Sequence, residues 1–269
     1  MDDDELSLLF EVFESTPRQG PGSAETTRRA LQLLPMSLRI ERALDLGCGT
    51  GGSTLVLAEE TGAEVTAVDI HPPFLATLRA RAEERGLADR IKTIVADMAD
   101  VTSLGTRFDL IWAEGSAYSI GFENALRRWR SLLLPFGCLV VTELAWFVAD
   151  PAERARSFFA NEYADMQDEA TRISQAQSVG YSLLGSFRLP SEDWQAYYAG
   201  FEEPLRDAIS RRGELGVYAN LRLEQAIYDA CGDDYGYLCL VLQATAEPSQ
   251  AGHEAAQPGD AADAASRRG

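Results

Sequence analysis

A glycine-rich turn between an apolar strand and a helix constrains this chain more than any other feature. Gly47, Gly49 and Gly51 follow the strand-like run 43–46, and a helix is predicted to begin after Gly52. Residues without a Cβ let a backbone pass close to a ligand, and a helix N-terminus offers free N–H donors to it. The turn therefore predicts a nucleoside-binding loop. It does not identify the cofactor, because nicotinamide and flavin enzymes share this glycine spacing.

Apolar runs of strand length alternate with helical stretches along the chain. Parallel strands are predicted at residues 42–46, 64–69, 91–96, 108–113 and 137–144, and helices at residues 53–60, 73–85 and 123–133. Two later strands are predicted at residues 183–189 and 237–245, the last of them pairing antiparallel. This alternation predicts a doubly wound α/β sheet with ligands above the carboxyl ends of its strands.

Three regions are expected along the chain. Residues 1–38 carry two short helices, the second capped by Ser23, and a lid turn between them. Residues 39–246 form the ligand-binding domain, with helical insertions at about 150–180 and 190–234 that could cap the site. Residues 247–269 contain no aromatic or β-branched side chain, so they cannot bury enough apolar surface to fold and are expected to be disordered.

Charge and composition narrow the class of partner. The net charge of −18 would repel a nucleic acid. No apolar run approaches the roughly 20 residues that span a bilayer, and the acidic N-terminus does not resemble a secretory signal. A cytoplasmic protein without nucleic-acid or membrane partners is expected. The four cysteines are expected to be reduced and buried, and two histidines are too few for a His/Cys metal cluster, so no metal site is predicted.

Carboxylates follow four of the predicted strands and narrow the class of ligand. Asp45, Asp69, Asp97 and Glu114 stand at the ends of strands one to four. Asp69 could accept hydrogen bonds from two ribose hydroxyls, and Asp97 could accept one from an adenine amino group. A ring of carboxylates attracts a cationic sulfonium and repels a pyrophosphate. Any one of the four could instead be a helix cap.

These motifs resemble those of the class I S-adenosylmethionine-dependent methyltransferases over about residues 17–244. The matching segments are Leu44-Asp45-Leu46-Gly47-Cys48-Gly49-Thr50-Gly51, Val68-Asp69, Ala96-Asp97-Met98 and Phe108-Asp109-Leu110-Ile111-Trp112. Residues 19–23 and 112–122 look like those of an uncharacterised bacterial group of small-molecule-type methyltransferases. The resemblance implies a Rossmann-like seven-stranded sheet, mostly parallel with an antiparallel last strand, and S-adenosylmethionine as the cofactor.

The resemblance also implies roles for individual residues. Gly47, Gly49 and Gly51 would lie under the methionine part of the cofactor, Asp69 at its ribose, and Asp97 with Met98 at its adenine. The full predicted cofactor set is Gly22, Asp45, Gly47, Gly49, Gly51, Asp69, Ile70, Asp97, Met98 and Glu114.

The expected reaction is an in-line displacement, in which a substrate N, O, S or C atom attacks the sulfonium methyl and S-adenosylhomocysteine leaves. Because that leaving group is good, the protein mainly positions the nucleophile and excludes water, and it needs a general base only if the nucleophile is protonated. The candidates are Glu114 and Tyr118 for catalysis and Tyr118, Glu143, Trp146 and Trp194 for the substrate pocket. Glu114 could instead hold Arg18 or Gln19, and the tryptophans could simply pack the cap helices.

A methyltransferase acting on a small molecule is the function that these features favour. An inactive methyltransferase-like domain that only binds a ligand remains an alternative, because a dead site can keep its cofactor loop. A nicotinamide oxidoreductase is disfavoured, since the glycine loop lies far from the N-terminus and Lys92 is the only lysine. A protein methyltransferase would need a peptide groove, whereas the aromatic-rich cap favours a closed small-ligand pocket. The sequence leaves open whether the chain forms a homo-oligomer.

Overall fold

Eight strands and nine α-helices make up residues 3–245, the part of the chain that the computed structural model describes. The strands are β1 (Arg42–Leu46), β2 (Glu64–Asp69), β3 (Ile91–Val95), β4 (Phe108–Glu114), β5 (Leu133–Trp146), β6 (Gln167–Asp168), β7 (Tyr181–Arg188) and β8 (Tyr235–Ala244). The helices are α1 (Asp3–Phe13), α2 (Ala24–Gln32), α3 (Gly52–Thr61), α4 (Pro72–Glu84), α5 (Phe122–Arg130), α6 (Glu153–Glu162), α7 (Glu169–Ser178), α8 (Ser191–Arg212) and α9 (Gly216–Cys231). The tail predicted to be disordered, residues 247–269, lies outside the described residues.

The strands form one sheet in the order β3-β2-β1-β4-β5-β8-β7, with β6 paired to β5. Strands β1 to β5 are parallel to their neighbours, and β8 runs antiparallel between β5 and β7. The predicted doubly wound sheet with an antiparallel last strand is therefore confirmed. The two-residue β6 was not predicted, because so short a strand carries no periodicity. The strand order reverses at β1, so a crevice opens above the carboxyl ends of β1 and β4.

Helices cover both faces of the sheet, and each face has its own apolar core. Side chains of one strand alternate between the two faces, so Trp112 of β4 lies in one core and its neighbour Ile111 in the other. Helices α1, α3, α4, α8 and α9 pack on the first face, and α5 and α7 pack on the second. Full burial of a large apolar side chain such as Trp112 or Trp129 stabilises the fold by about 1.5–3 kcal/mol.

Local sequence signals explain several helix ends. The Ser23 hydroxyl accepts a hydrogen bond from the Thr26 N–H at 3.1 Å and caps α2, as predicted. Asp168 caps α7 in the same way, accepting from the Thr171 N–H at 2.8 Å. Pro72 occupies the first turn of α4, where its missing N–H has no cost.

Strand β5 is longer than the predicted residues 137–144. It begins at Leu133, which pairs with Phe108, and ends at Trp146, which pairs with Tyr235 of β8. Strand β5 pairs with β8 from Cys138 to Trp146. This pairing extends the strand beyond the length that a local apolar pattern indicates. As a result Trp146 lies within β5 and not after it.

No helix among the described residues is both long enough and apolar enough to cross a membrane. The cytoplasmic location stays a prediction. The four cysteines are free and buried, as expected. Within residues 3–245 no group of His, Cys, Asp and Glu side chains is arranged to hold a metal ion.

Candidate functional site

The glycine loop lies at the carboxyl end of β1, beside the crevice. Gly47 and Gly49 have φ angles of +69° and +53°, a region that residues with a Cβ rarely adopt. A Cβ on Gly47 would lie 2.6 Å from the Cβ of Ser116, and a Cβ on Gly49 would collide with the side-chain oxygen of Gln19. Contacts within the protein therefore already require glycine at both positions, whether or not a ligand also lies close to the loop.

The lead-in segment (residues 14–23), between α1 and α2, crosses over this loop. Gln19 Oε1 accepts a hydrogen bond from the Thr50 N–H at 2.9 Å, and Gln19 Nε2 donates to Thr50 Oγ1 at 3.0 Å. Arg18 Nη1 donates to Ser53 Oγ at 3.0 Å and to Glu114 Oε2 at 2.5 Å. Glu114 thus holds Arg18, which is the alternative that the sequence left open for this carboxylate.

A cavity of about 290 Å³ lies between the glycine loop, α1 and the ends of β1, β2 and β4. This volume is close to the lower end of the roughly 300–1,000 Å³ range typical of small-molecule sites. The predicted cofactor residues in its wall are Asp45, Gly47, Gly49, Asp69, Ile70, Met98 and Glu114. Apolar side chains of α1, among them Phe10 and Phe13, form the opposite wall.

Two predicted cofactor residues lie next to this cavity and not in its wall. A Cβ on Gly22 would lie 3.1 Å from Glu114 Oε2 and 3.3 Å from Arg18 Nη1, so Gly22 borders the ion pair. Gly51, with φ at +87°, precedes α3 and packs against the Leu78 side chain. Both glycines shape the walls without contacting the cavity themselves.

Asp45 and Asp69 are buried carboxylates in the cavity wall. Burial raises the pKa of Asp45 to about 7; the hydrogen bond from Thr54 Oγ1, at 2.6 Å, opposes this shift, and the charge of Glu114 adds to it. Burial also raises the pKa of Asp69, although the N–H groups of His71 and Gly49, each at 2.9 Å, oppose the shift. Asp69 therefore fixes the glycine loop as well as facing the cavity.

Asp97 does not line the cavity, although its neighbours Ala96 and Met98 do. Its side chain is exposed, and Oδ1 accepts a hydrogen bond from the Ala99 N–H at 2.8 Å. This contact closes a local turn and is not a helix cap, because the next helical segment begins only at Val101. The contact with adenine stays a prediction.

Glu114 and Tyr118, the two candidate catalytic residues, both line the cavity. Glu114 Oε1 accepts hydrogen bonds from Trp112 Nε1 at 2.9 Å and from Thr27 Oγ1 at 3.1 Å, while Oε2 holds Arg18. All of these partners are donors, so Glu114 is fixed as an acceptor. Tyr118 lies in a 3₁₀ turn after β4 and is 45% exposed, with its ring against the Tyr163 ring at 5.9 Å.

Glu143 is fully buried and does not line the cavity, contrary to the prediction that it lies in the substrate pocket. It belongs to the face of β5 covered by α7, where Arg172 Nη2 lies 3.9 Å from its Oε1. Neither carboxylate oxygen has a hydrogen-bond partner among the described residues. Burial raises the pKa of Glu143 to about 7, with the Tyr163 hydroxyl and the Arg172 charge opposing the shift.

Trp146 and Trp194 also lie outside the wall of this cavity, and a contact with a substrate stays a prediction. Trp146 packs edge-on against Phe159 at 5.7 Å between ring centroids. Trp194 is 2% exposed and stacks on Tyr228 at 4.4 Å and on Tyr237 at 5.4 Å. Both tryptophans pack the cap helices onto the sheet, the alternative noted from the sequence.

Several wall residues were not assigned a role from the sequence. Arg18 and Gln19 were considered only as partners of Glu114, and the aromatic side chains of α1 were not considered at all. Ser116 follows β4, and its hydroxyl donates to the Leu46 carbonyl at 2.8 Å, joining the ends of β4 and β1. A polar residue directly after a parallel strand is a signal that could have identified Ser116.

Comparison with known proteins adds independent information about this site. Residues 43–137 match the family described as a methyltransferase domain, and this segment carries the glycine loop, Asp69 and Glu114. This part of the chain is therefore similar to methyltransferase domains. Uncharacterized protein YjhP of Escherichia coli (strain K12) is 25% identical over 226 residues, which cover 82% of this chain and 89% of YjhP. The resemblance to an uncharacterised bacterial group is therefore confirmed.

Solved structures share the fold. The crystal structure of YjhP has a TM-score of 0.74 at 23% identity and covers 88% of this chain and 99% of that one. A structure of a methyltransferase from Geobacter sulfurreducens in complex with S-adenosyl-L-homocysteine has a TM-score of 0.71 at 24% identity, covering 88% and 97%. Demethylmenaquinone methyltransferase of Thermus thermophilus is 38% identical over 118 residues, 43% of this chain and 52% of that enzyme.

The methyltransferase match covers the cavity wall from Asp45 to Ser119, and α1 with the lead-in segment supplies the rest. Helices α6 to α9 and strand β8 follow residue 137, where the match ends, and none of their residues lines the cavity. The match therefore does not identify an acceptor.

Proposed function

We propose that the cavity binds S-adenosylmethionine and that the protein transfers its methyl group to a nucleophilic atom of a small molecule. The observation that supports this most directly is the charge of the cavity wall. Asp45, Asp69 and Glu114 lie in one wall, and Arg18, the only lysine or arginine in that wall within the described residues, is already paired with Glu114. Such a wall favours a cationic ligand and opposes a pyrophosphate.

The residues of the cavity fit the cofactor group by group. Gly47 and Gly49 line the cavity and would lie beside the methionine part, and Asp69 in the same wall would accept from the ribose hydroxyls. Exposed Ile70 and half-buried Met98 offer apolar surfaces between which an adenine ring can lie. Asp45 and Glu114 suit the ammonium group and the sulfonium charge.

The cofactor supplies a methyl group on a positively charged sulfur, so the protein has little covalent chemistry to perform. When bound, the cofactor would be held by Gly47, Asp69 and Met98 and would supply its methyl group to an acceptor beside Tyr118. Positioning and exclusion of water are what the chain contributes. Tyr118, at the end of the cavity after β4, is placed to orient the acceptor. Glu114 acts by fixing the position of Arg18 in the part of the wall where the cofactor would bind.

Calorimetric titration tests this proposal. We expect S-adenosylhomocysteine to bind with micromolar affinity and NADH not to bind. Asp69→Ala should weaken S-adenosylhomocysteine binding by about 1–3 kcal/mol, because it removes an acceptor for the ribose and frees the loop N–H of Gly49. Asp89→Ala, an exposed aspartate of the short turn before β3, is the matched control and should bind normally. No heat with S-adenosylhomocysteine would reject the proposal.

A domain that binds the cofactor without catalysis would pass that titration. The second measurement is therefore mass spectrometry of a pool of candidate nucleophiles incubated with the protein and S-adenosylmethionine. We expect at least one compound to gain the mass of one methylene unit. A pool that stays unchanged while S-adenosylhomocysteine binds would favour the non-catalytic alternative.

A further inference from the structure

Arg81 of α4 joins two segments that flank the cavity. Its Nη1 donates hydrogen bonds to the Thr50 carbonyl at 3.0 Å and to Thr50 Oγ1 at 2.8 Å, in the glycine loop. The same guanidinium reaches the start of the lead-in segment, where Nη1 lies 3.1 Å from the Pro17 carbonyl and Nη2 lies 3.2 Å from the Thr16 carbonyl. One side chain therefore fastens the lead-in segment to the glycine loop.

The acceptors that Arg81 contacts are all neutral, since they are three backbone carbonyls and a hydroxyl. Elsewhere on α4, the Arg85 guanidinium pairs with the Glu59 carboxylate at 3.2 Å. A charged donor makes hydrogen bonds about twice as strong as those between neutral groups, and a planar guanidinium holds several acceptors in fixed directions. Arg81 is thus placed to fix the geometry of two segments of backbone.

Thr50 is the residue at which these contacts meet. It is fully buried and lies between Gly49 and Gly51, and its N–H donates to Gln19 Oε1 at 2.9 Å. The N–H, the carbonyl and the hydroxyl of Thr50 are therefore all bonded to residues outside the glycine loop. A shift of Thr50 would break these bonds and move Gly49, which lines the cavity and donates to Asp69 Oδ2 at 2.9 Å.

Helix α4 supports the glycine loop at two points on one face. Leu78 packs against Gly51, and Arg81 follows Leu78 by three residues, a spacing that places two side chains next to each other on a helix. Arg79 is exposed, and its Nη1 donates instead to Thr93 Oγ1 of β3 at 2.9 Å. Arg79 therefore has the same helix and the same charge as Arg81 but is bonded to the sheet, and it provides a matched control.

We propose that Arg81 is a positioning residue for the cofactor, which holds the glycine loop and the lead-in segment in the arrangement that S-adenosylmethionine requires. This inference rests on the proposed function, since it assigns a further residue to the same site. Arg81 does not line the cavity, but Gly49, next to Thr50, and Arg18, next to Pro17, do. Without Arg81 a smaller fraction of molecules has the wall in place, and the apparent affinity for the cofactor falls by that fraction.

The competing explanation is that Arg81 only stabilises the fold, by joining α4 to the chain that follows α1. In that case its loss would lower the free energy of unfolding and leave the S-adenosylhomocysteine affinity of the folded molecules unchanged. The two explanations therefore differ in the dissociation constant of S-adenosylhomocysteine, measured well below the unfolding transition.

Calorimetric titration with S-adenosylhomocysteine and urea unfolding are applied to the full chain and to three variants. Arg81→Met keeps the apolar stem and removes every donor, and we expect it to bind at least about tenfold more weakly. Arg81→Lys should recover part of this loss and bind about threefold more weakly than the parent, because one ammonium nitrogen cannot reach all of the acceptors. Arg79→Met should bind within about twofold of the parent, since its bond to β3 does not involve the cavity wall.

Hydrogen–deuterium exchange follows the position of the two segments without any ligand. In Arg81→Met, the amides of residues 16–20 and 48–51 should exchange faster than in the parent, while those of β4 keep their rate. Local opening accelerates only the amides that it exposes, whereas a loss of global stability accelerates the slowest amides of the central strands. Faster exchange in β4, with no local change around Thr50, would therefore support the competing explanation and overturn the inference.

The binding outcomes separate this inference from the proposed function. Failure of the parent to bind S-adenosylhomocysteine rejects the proposed function. Normal binding by the parent, with Arg81→Met within about twofold of it or with Arg79→Met weakened equally, rejects the inference alone. Should Arg81→Met not fold, Arg81→Lys decides, and an affinity within about twofold of the parent then overturns the inference.

Discussion

Replacing Gly47 with alanine separates backbone strain from close packing, because the chain contains a matched control. Gly47 and Gly86 have nearly identical φ angles, +69° and +68°. A Cβ on Gly86 would have no neighbour within 4 Å, whereas a Cβ on Gly47 would lie 2.6 Å from the Cβ of Ser116. The two alanine variants therefore share the same backbone penalty and differ only in the surroundings of the new methyl group.

The magnitudes follow from these contacts. Alanine at φ near +68° costs about 1–2 kcal/mol, so Gly86→Ala should lower the free energy of unfolding by that amount. Gly47→Ala carries the same cost and a further 1–3 kcal/mol, roughly, for overpacking. Ser116 cannot move aside freely, because its hydroxyl is bound to the Leu46 carbonyl at 2.8 Å. A total loss of about 2–5 kcal/mol is expected for Gly47→Ala.

Urea unfolding and calorimetry measure the two effects. Gly86→Ala should bind S-adenosylhomocysteine with unchanged affinity, because Gly86 lies after α4 and outside the cavity wall. Gly47→Ala should weaken this binding at least about tenfold, since a shift of Ser116 or of the loop moves the cavity wall. Equal destabilisation by the two substitutions, or normal S-adenosylhomocysteine affinity in Gly47→Ala, would refute the reasoning.

Two further predictions concern buried polar groups. A buried carboxyl whose pKa is raised to about 7 holds its proton in the folded protein at pH values where the unfolded chain has lost it, so its contribution to stability falls as pH rises from about 4 to 7. Asp45→Asn should therefore be about as stable as the parent below about pH 4 and more stable by a few kcal/mol, roughly, at pH 8, as measured by urea unfolding. The same difference at both pH values would contradict this. Tyr218→Phe should not lower thermal stability, because the buried Tyr218 hydroxyl has no partner among the described residues. Tyr181→Phe should cost about 1 kcal/mol, because it loses the 3.1 Å hydrogen bond to the Leu126 carbonyl. Equal effects of the two substitutions would show that the Tyr218 hydroxyl is satisfied.

The fold could be predicted from the sequence because its signals are local. Each buried strand of the parallel half is a short apolar run, and each crossover helix follows within a few residues. Asp45, Asp69 and Glu114 could be placed together for the same reason, since the carboxyl ends of parallel strands share one edge of the sheet. Direct pairing of Asp45 with Ala67 and with Trp112 brings those three strand ends to one level.

The rest of the site depends on contacts between residues far apart in the chain. Arg18 and Glu114 are 96 positions apart, and no rule based on sequence spacing predicts that they pair. Trp194 lies outside the cavity wall because an aromatic residue on a cap helix can face either the cavity or the sheet, and only packing decides which. Glu143 lies outside it because α7 covers its face of β5.

The lead-in segment also determines how a ligand can leave. A molecule in the cavity lies between the glycine loop and α1, with residues 14–23 passing over it. Movement of this segment away from the cavity requires the Gln19–Thr50 and Arg18–Glu114 hydrogen bonds to break, at roughly 0.5–3 kcal/mol each. This cost is a fraction of global unfolding, so the segment can open while the sheet stays intact. A ligand that leaves on this side of the cavity therefore leaves no faster than the segment opens.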